Sequence, residues 1–157
     1  MRPVILALAS GFGLGYVPLA PGTFGTMLAV PLFWAMSFQP WWLYLLSLAA
    51  LIALATWCSA LAGAYWGQVD CQKIVIDEVA GYATTMFLAP FTWQYALAGF
   101  VFFRIFDITK PWPASYFDKQ VHSGFGVVMD DVAAGAYACG ATHLAAYLSA
   151  LAGSPWA

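Results

Sequence analysis

Charged residues are confined to the middle of this chain, and the long stretches on either side contain almost none. Eleven of the twelve Asp, Glu, Lys and Arg residues lie between Asp70 and Asp131. The stretch before Asp70 contains one charged residue, Arg2, and no histidine. The stretch after Asp131 contains no charged residue and one histidine, His143. An ionisable group inside a lipid-facing protein is costly and usually marks a function. We therefore expect the functional residues of this chain to lie between Asp70 and Asp131.

The composition indicates an integral membrane protein. The chain has 157 residues, of which 63% are hydrophobic and 8% are charged, whereas soluble domains average about 25% charged residues. Eight Trp and eight Tyr residues suit the boundary between membrane and water. We predict one integral-membrane catalytic domain over 1–157, in preference to an unusually apolar soluble domain. Nucleic-acid binding is excluded because there is no basic stretch, and we expect no obligatory protein partner.

Proline positions divide the apolar sequence into helices. Pro40 and Pro90 each separate two apolar segments, so each pair is predicted to form a helical hairpin. Two segments reach the roughly 20 residues that a membrane crossing needs, while the pair around Pro90 either tilts or forms a re-entrant hairpin. A short helix from Pro113 is expected to lie flat at the interface. The fold prediction is an all-α polytopic membrane bundle of four to five embedded helices, with apolar segments at about 24–39, 41–66, 79–90, 91–106 and 126–152.

Hairpins return the chain to the side from which it entered, so three loops should emerge on one side of the membrane. These are the loops at about 11–23, 67–78 and 107–125, and they place the charged clusters in a single interfacial layer. The lysines lie on this side, which the positive-inside rule assigns to the cytoplasm. The sequence therefore predicts a multi-pass protein whose active site faces the cytoplasm.

A glycine-rich loop precedes the first long apolar segment. Thr23 is a plausible N-cap there, and glycines at positions 22 and 25 would let backbone N–H groups approach an anion. We therefore name Gly22, Thr23 and Gly25 as candidate phosphate-binding residues. The alternative is a tight turn whose glycines serve helix packing.

A pair of acidic residues lies at the start of each of two apolar segments. Asp77 and Glu78 stand at a membrane edge, where two unpaired carboxylates are hard to keep charged. A cation would stabilise them, although acids in a first helical turn also interact with the helix dipole. Asp130 and Asp131 form a second pair at the start of the last segment.

Basic residues and one histidine complete the set of candidates. Arg104, Asp107 and Lys110 recur every third residue and so share one helix edge. They form either a salt-bridge ladder or a site in which Arg104 and Lys110 hold phosphate rather than the protein's own acids. Asp118 and His122 are spaced as an i,i+4 pair, and His122 is either structural or functional.

Oxygen ligands without a His or Cys cluster favour Mg²⁺, and carboxylate-held Mg²⁺ with Lys and Arg is typical of phosphoryl transfer. The predicted metal ligands are Asp77, Glu78, Asp107, Asp130 and Asp131, and the predicted catalytic group adds Lys110 and His122. The alternative function is a small ion or proton transporter that uses the embedded carboxylates. Charges gathered in one layer, rather than along a path across the bilayer, favour the enzyme.

Four phrases, in order and over nearly the whole chain, resemble the phosphatidylglycerophosphatase A family. They are Pro21-Gly-Thr-Phe-Gly25, Ile74-Val-Ile-Asp77-Glu78-x2-Gly81, Phe103-Arg-Ile-Phe-Asp-Ile-Thr-Lys-Pro-Trp-Pro113 and Asp118-x3-His122-x-Gly124-x-Gly126-x3-Asp130-Asp131-x3-Gly135. The resemblance implies an Mg²⁺-dependent enzyme of the bacterial inner membrane. Its expected substrate is the phospholipid phosphatidylglycerophosphate, from which it removes the terminal phosphate to leave phosphatidylglycerol.

Overall fold

The computed structural model describes residues 2–156, and within them the chain is all-helical with no strand. The predicted domain 1–157 extends one residue beyond this range at each end. The all-α prediction is confirmed. A 3₁₀ turn, Leu14–Tyr16, lies between the first two of seven α-helices: α1 Arg2–Ala9, α2 Pro21–Met36, α3 Trp41–Trp66, α4 Ile76–Thr85, α5 Trp93–Thr109, α6 Ala114–Gln120 and α7 Gly124–Leu151.

Helix boundaries follow the local turn chemistry. Helix α3 covers the predicted segment, with Pro40 as its N-cap and Gly67, at φ 72°, as its C-cap. Helix α2 starts earlier than predicted, because Pro21 occupies the first turn, where a proline needs no N–H partner. The N-cap is Ala20, at φ 53°, so the prediction of Thr23 as N-cap was wrong. Helix α4 is shorter than its predicted segment, and Leu88 follows it with a positive φ of 61°.

Helix α7 is the centre of the bundle and contacts α3, α4, α5 and α6. Its packing against α4 is unusually close at two glycines. A Cβ on Gly81 would lie 2.8 Å from the Asp131 carbonyl oxygen, and a Cβ on Gly135 would collide with the Gly81 carbonyl oxygen. Two glycines therefore bring the α4 and α7 backbones into contact.

Two tyrosine hydroxyls anchor α4 among its neighbours. Tyr44 on α3 donates a hydrogen bond of 2.7 Å to the Ala83 carbonyl oxygen, and Tyr82 on α4 donates one of 2.9 Å to the Ala96 carbonyl oxygen. Both side chains are almost fully buried. Because buried polar groups need partners, these bonds fix the position of α4 relative to α3 and α5.

One helix in the described chain, α3, is long and apolar enough to cross a membrane by length and composition. Only 28% of its most apolar window is buried, so it is not the core helix of a compact soluble domain. Helix α7 has 28 residues, but glycines, tyrosines and His143 lower its hydropathy. The prediction of four to five embedded helices is therefore confirmed only as an all-helical bundle with one candidate span.

Candidate active site

The charged segments meet in one cleft of about 410 Å³ at one end of the bundle. Its walls come from the loop before α2, the segment from Asp70 to Glu78, the end of α5 and the second turn of α7. The predicted gathering of the charged loops is confirmed. The predicted site residues that line the cleft are Gly22, Asp77, Glu78, Arg104, Asp107, Lys110, Asp130 and Asp131.

Three carboxylates form the most compact group in the cleft. One carboxylate oxygen from each of Asp77, Glu78 and Asp131 lies within 4.8 Å of the other two. Asp77 and Glu78 occupy the first turn of α4, and Asp131 faces them from α7. This convergence follows from the close contact between the two helices, because Gly81 and Gly135 each lie about one helical turn beyond these acids.

Burial and neighbouring negative charges disfavour the ionised forms of Asp77 and Glu78 in the three-carboxylate group. Burial raises the pKa of the Glu78 carboxyl well above its usual value, and the charges of Asp77 and Asp107 raise it further. Burial likewise raises the pKa of Asp77. Glu78 Oε2 is buried and accepts no hydrogen bond from any described residue. A buried acceptor without a donor is rare in native proteins, and a cation would satisfy it.

Arg104 and Asp107 form the predicted i,i+3 pair on α5. Arg104 Nη1 lies 2.7 Å from Asp107 Oδ2. The approach is not aligned for a hydrogen bond, and Nη1 is a buried donor without an acceptor among residues 2–156. The guanidinium therefore retains hydrogen-bonding capacity toward a further anion in the cleft.

Lys110 does not continue the Arg104–Asp107 edge. It caps α5 in the left-handed conformation at φ 42°, which turns its side chain toward α6 and α7. Its Nζ lies 2.5 Å from both Asp118 Oδ1 and Asp130 Oδ2. Partial burial lowers the Lys110 pKa, but the two hydrogen-bonded carboxylates raise it above its ordinary value. The expectation that both cations avoid the protein's own acids was wrong, because Arg104 contacts Asp107 and Lys110 contacts two aspartates.

The loop before α2 approaches the same carboxylates. A Cβ on Gly22 would collide with Glu78 Oε1 and lie 3.1 Å from Arg104 Nη1, and one on Gly25 would lie 3.4 Å from Glu78 Oε2. Gly22 lines the cleft, but Thr23 and Gly25 are absent from its described lining. The phosphate-binding role of these three residues stays a prediction.

We expect Gly22→Ala to reduce turnover strongly, because the added methyl group occupies the space between Glu78 and Arg104. A loss of about tenfold to a hundredfold in kcat is expected, as for misplaced electrostatic groups. Gly140→Ala is the matched control, since a Cβ on this α7 glycine meets no atom within 4 Å. Steady-state kinetics and melting temperatures of the two variants check this, and equal kcat values would contradict it.

His122 is exposed between α6 and α7 and is absent from the described lining of the cleft. Helix α6 ends at Gln120, so the predicted helical pair of Asp118 and His122 was wrong. Asp118 contacts Lys110 instead. The structure thus does not bring His122 to the carboxylates, and its catalytic role stays a prediction.

The contacts of two further residues were not predicted from the sequence. Asp118, which was paired there with His122, instead holds one side of the Lys110 ammonium. Gln72 was not singled out, although it lines the cleft beside Asp70. No local pattern predicts these contacts, because they depend on how α6 and the loop before α4 fold back.

Comparisons with known proteins agree with the geometry. The sequence model of the phosphatidylglycerophosphatase A family matches residues 7–146. Phosphatidylglycerophosphatase A of Escherichia coli (strain K12) is 42% identical over 134 residues, which cover 85% of this chain and 78% of the relative. The Haemophilus influenzae protein of that name is 38% identical, covering 88% of this chain and 85% of the relative.

A third relative carries a different name. A putative phosphatidylinositol-3-phosphatase of Bacteroides thetaiotaomicron is 37% identical over 146 residues, covering 87% of this chain and 91% of the relative. No solved structure matches the chain significantly. The family match spans the four sequence phrases and the whole cleft, and the chain belongs to the phosphatidylglycerophosphatase A family.

Proposed function

We propose that this enzyme hydrolyses the terminal phosphomonoester of phosphatidylglycerophosphate, giving phosphatidylglycerol and phosphate, and that it requires Mg²⁺. The observation that carries the proposal is the single cleft in which the three-carboxylate group lies beside Arg104 and Lys110. Phosphatase chemistry needs such a combination of positive charges and anionic ligands around one phosphoryl group. The names of two relatives supply the substrate.

The donor set fits Mg²⁺. Asp77, Glu78 and Asp131 offer only oxygen ligands, which this hard cation prefers, and the unpartnered Glu78 Oε2 provides a place for it. When bound, Mg²⁺ supplies positive charge that stabilises the phosphoryl oxygens in the transition state. Asp107 and Asp130 line the same cleft, where each contacts a basic side chain, and their ligation of metal stays a prediction.

The basic side chains hold the phosphate from the other side. Arg104 offers the unsatisfied Nη1 hydrogens to a phosphate oxygen, and its ion pair with Asp107 keeps the guanidinium in place. Lys110 is fixed from two sides by Asp118 and Asp130. Its ammonium has three hydrogens, so it can donate to a phosphate oxygen while it keeps both carboxylate contacts.

Phosphate release from phosphatidylglycerophosphate in detergent micelles tests the function. We expect release in the presence of Mg²⁺, loss of release with a chelator, and recovery when Mg²⁺ is restored. A parallel assay with phosphatidylinositol 3-phosphate addresses the different name of the third relative. An ion or proton transporter would release no phosphate from either lipid, and that result would reject the proposal.

The enzyme is proposed to lie in the bacterial inner membrane with its cleft at the cytoplasmic headgroup level. The apolar, mostly exposed α3 supports membrane insertion, and exposed aromatic side chains occur near both of its ends, at Trp41 and Tyr65. Helix α7 packs against α3, α5 packs against α7, and α2 packs against α4, which also contacts α3. We propose that α2, α5 and α7 are embedded together with α3. The cleft opens at the C-terminal end of α3, where Trp66 precedes the loop to α4.

Single-cysteine labelling checks this topology in a background with the three native cysteines replaced. We expect Gln72→Cys and Lys119→Cys to react with a membrane-impermeant reagent from one side, because both exposed residues lie at the cleft end of the bundle. Phe38→Cys, 72% exposed before the start of α3, should react only from the other side. Labelling of all three positions from one side would show that α3 does not span.

A further inference from the structure

A second cavity adjoins the cleft, and Lys73 is the only charged residue that lines it in the described chain. Its volume is about 400 Å³. The two cavities share part of one wall, so a group bound in the cleft lies next to the second cavity. The shared wall consists of Pro18, Pro21, Cys71 and Gln72.

Lys73 has aromatic neighbours but no anionic partner. Its Nζ lies 5.4 Å from the ring centroid of Tyr16 and 5.6 Å from that of Trp66. It forms no ion pair with a carboxylate among residues 2–156, in contrast to Arg104 and Lys110. Cation–π contacts orient the ammonium but leave its charge available to an anion.

The position of Lys73 is fixed by its surroundings. A Cβ on Gly15 would collide with the Lys73 carbonyl oxygen and lie 3.1 Å from its Cα, so the glycine permits a close backbone contact. Tyr16 and Trp66 pack edge to face with ring centroids 6.1 Å apart. Trp66 is the last residue of α3, which places the ammonium at the end of the candidate span. Such aromatic residues are typical of the membrane–water interface.

We infer that this second cavity binds the phosphodiester of the lipid substrate, with Lys73 as its counter-ion; the inference rests on the proposed function. A phosphodiester carries one negative charge, which a single lysine matches. The terminal phosphomonoester carries more charge and matches the more strongly charged cleft. A glycerol unit joins these two groups in the substrate. Lys73 thereby selects lipids that carry both groups over lipids whose only phosphate is the monoester.

Inhibition by short-chain phosphatidylglycerol tests the subsite, because this lipid retains the phosphodiester and lacks the monoester. We expect competitive inhibition of the unsubstituted enzyme. Lys73→Met should weaken that inhibition about tenfold, as for loss of a hydrogen bond to a charged group. Lys73→Arg should retain most of it, because Arg keeps the charge and stacks on aromatic rings. Neither Lys73 substitution should change the inhibition by inorganic phosphate, which probes the cleft.

Lys119→Met is the matched control for net charge, since Lys119 is exposed on α6 and lines neither cavity. Equal phosphatidylglycerol inhibition of the Lys73→Met and Lys119→Met enzymes would overturn the inference. Non-competitive inhibition would also overturn it, because it would indicate a separate lipid rather than the substrate's own headgroup.

A calorimetric titration separates a failure of the subsite inference from a failure of the proposed function. Titration of the detergent-solubilised protein with short-chain phosphatidylglycerol needs no turnover, and Lys73→Met should weaken binding by the same factor. If the unsubstituted enzyme releases no phosphate, the proposed function fails while this titration still decides the subsite. If it releases phosphate but phosphatidylglycerol binds both proteins equally, only the subsite is rejected.

Discussion

Replacing Asp131 by Asn is expected to lower kcat for phosphate release by about 10²-fold or more, the scale seen when a preorganised electrostatic group is removed. The side chain is buried and completes the three-carboxylate group with Asp77 and Glu78. A neutral amide of nearly the same shape cannot contribute the negative charge that the proposed Mg²⁺ site needs. The activity should therefore fall even though the packing of α7 is retained.

The melting temperature separates this effect from a structural one. In the absence of metal, Asp131→Asn should not lower it, because the substitution removes repulsion among buried carboxylates. We expect Mg²⁺ to raise the melting temperature of the unsubstituted enzyme through binding, and Asp131→Asn should lose most of this increase. Asp70→Asn, at an exposed acid of the same cleft, is the control and should keep that increase. Near-normal turnover of Asp131→Asn would remove this residue from the site.

Replacing Lys110 by Met is expected to lower kcat on the order of 10²-fold, because its proposed role is to stabilise charge on the phosphate. The melting temperature should fall as well. Asp130 is only 7% exposed and its side chain contacts the Lys110 ammonium at 2.5 Å. Without the Lys110 ammonium, the Asp130 carboxylate becomes a buried charge with no counter-ion, which is strongly destabilising.

A second substitution distinguishes the two roles of Lys110. In the double variant Lys110→Met with Asp130→Asn, no unpaired charge remains at this point, so much of the lost stability should return. The double variant should still turn over more slowly than Asp130→Asn alone, since the cation is still missing. If the double variant regains kcat together with its melting temperature, Lys110 has only a structural role. Asp118→Asn, which removes the more exposed partner, should have the smaller effect on both measurements.

The features predicted correctly from sequence depend on local patterns. Helix α3 is bounded by Pro40 and Gly67, whose backbone preferences are visible in the sequence. The Arg104–Asp107 pair follows from helical spacing. The gathering of the charged loops follows from the hairpin order of the apolar segments, which needs no knowledge of side-chain positions.

The features that were missed depend on backbone geometry outside regular helices. Lys110 lies at φ 42° and Ala20 at φ 53°, and neither residue type favours the left-handed region. At Lys110 this conformation carries the ammonium from the α5 edge to the acids of α6 and α7. A helical-wheel argument therefore selects a lysine that does line the cleft but assigns it the wrong partners.

The contact between Gly81 and Gly135 is also expected to affect which divalent cation the proposed metal site prefers. Each glycine lies about one helical turn from an acid of the three-carboxylate group, so the interior of the bundle sets how near those acids can come. Mg²⁺ requires short bonds and nearly ideal octahedral geometry, whereas Ca²⁺ accepts longer bonds and a looser arrangement. A methyl group at either glycine would spread the α4 and α7 backbones and favour the larger cation. If the proposed metal site is correct, the choice of ion therefore depends on helix packing as well as on the ligands themselves.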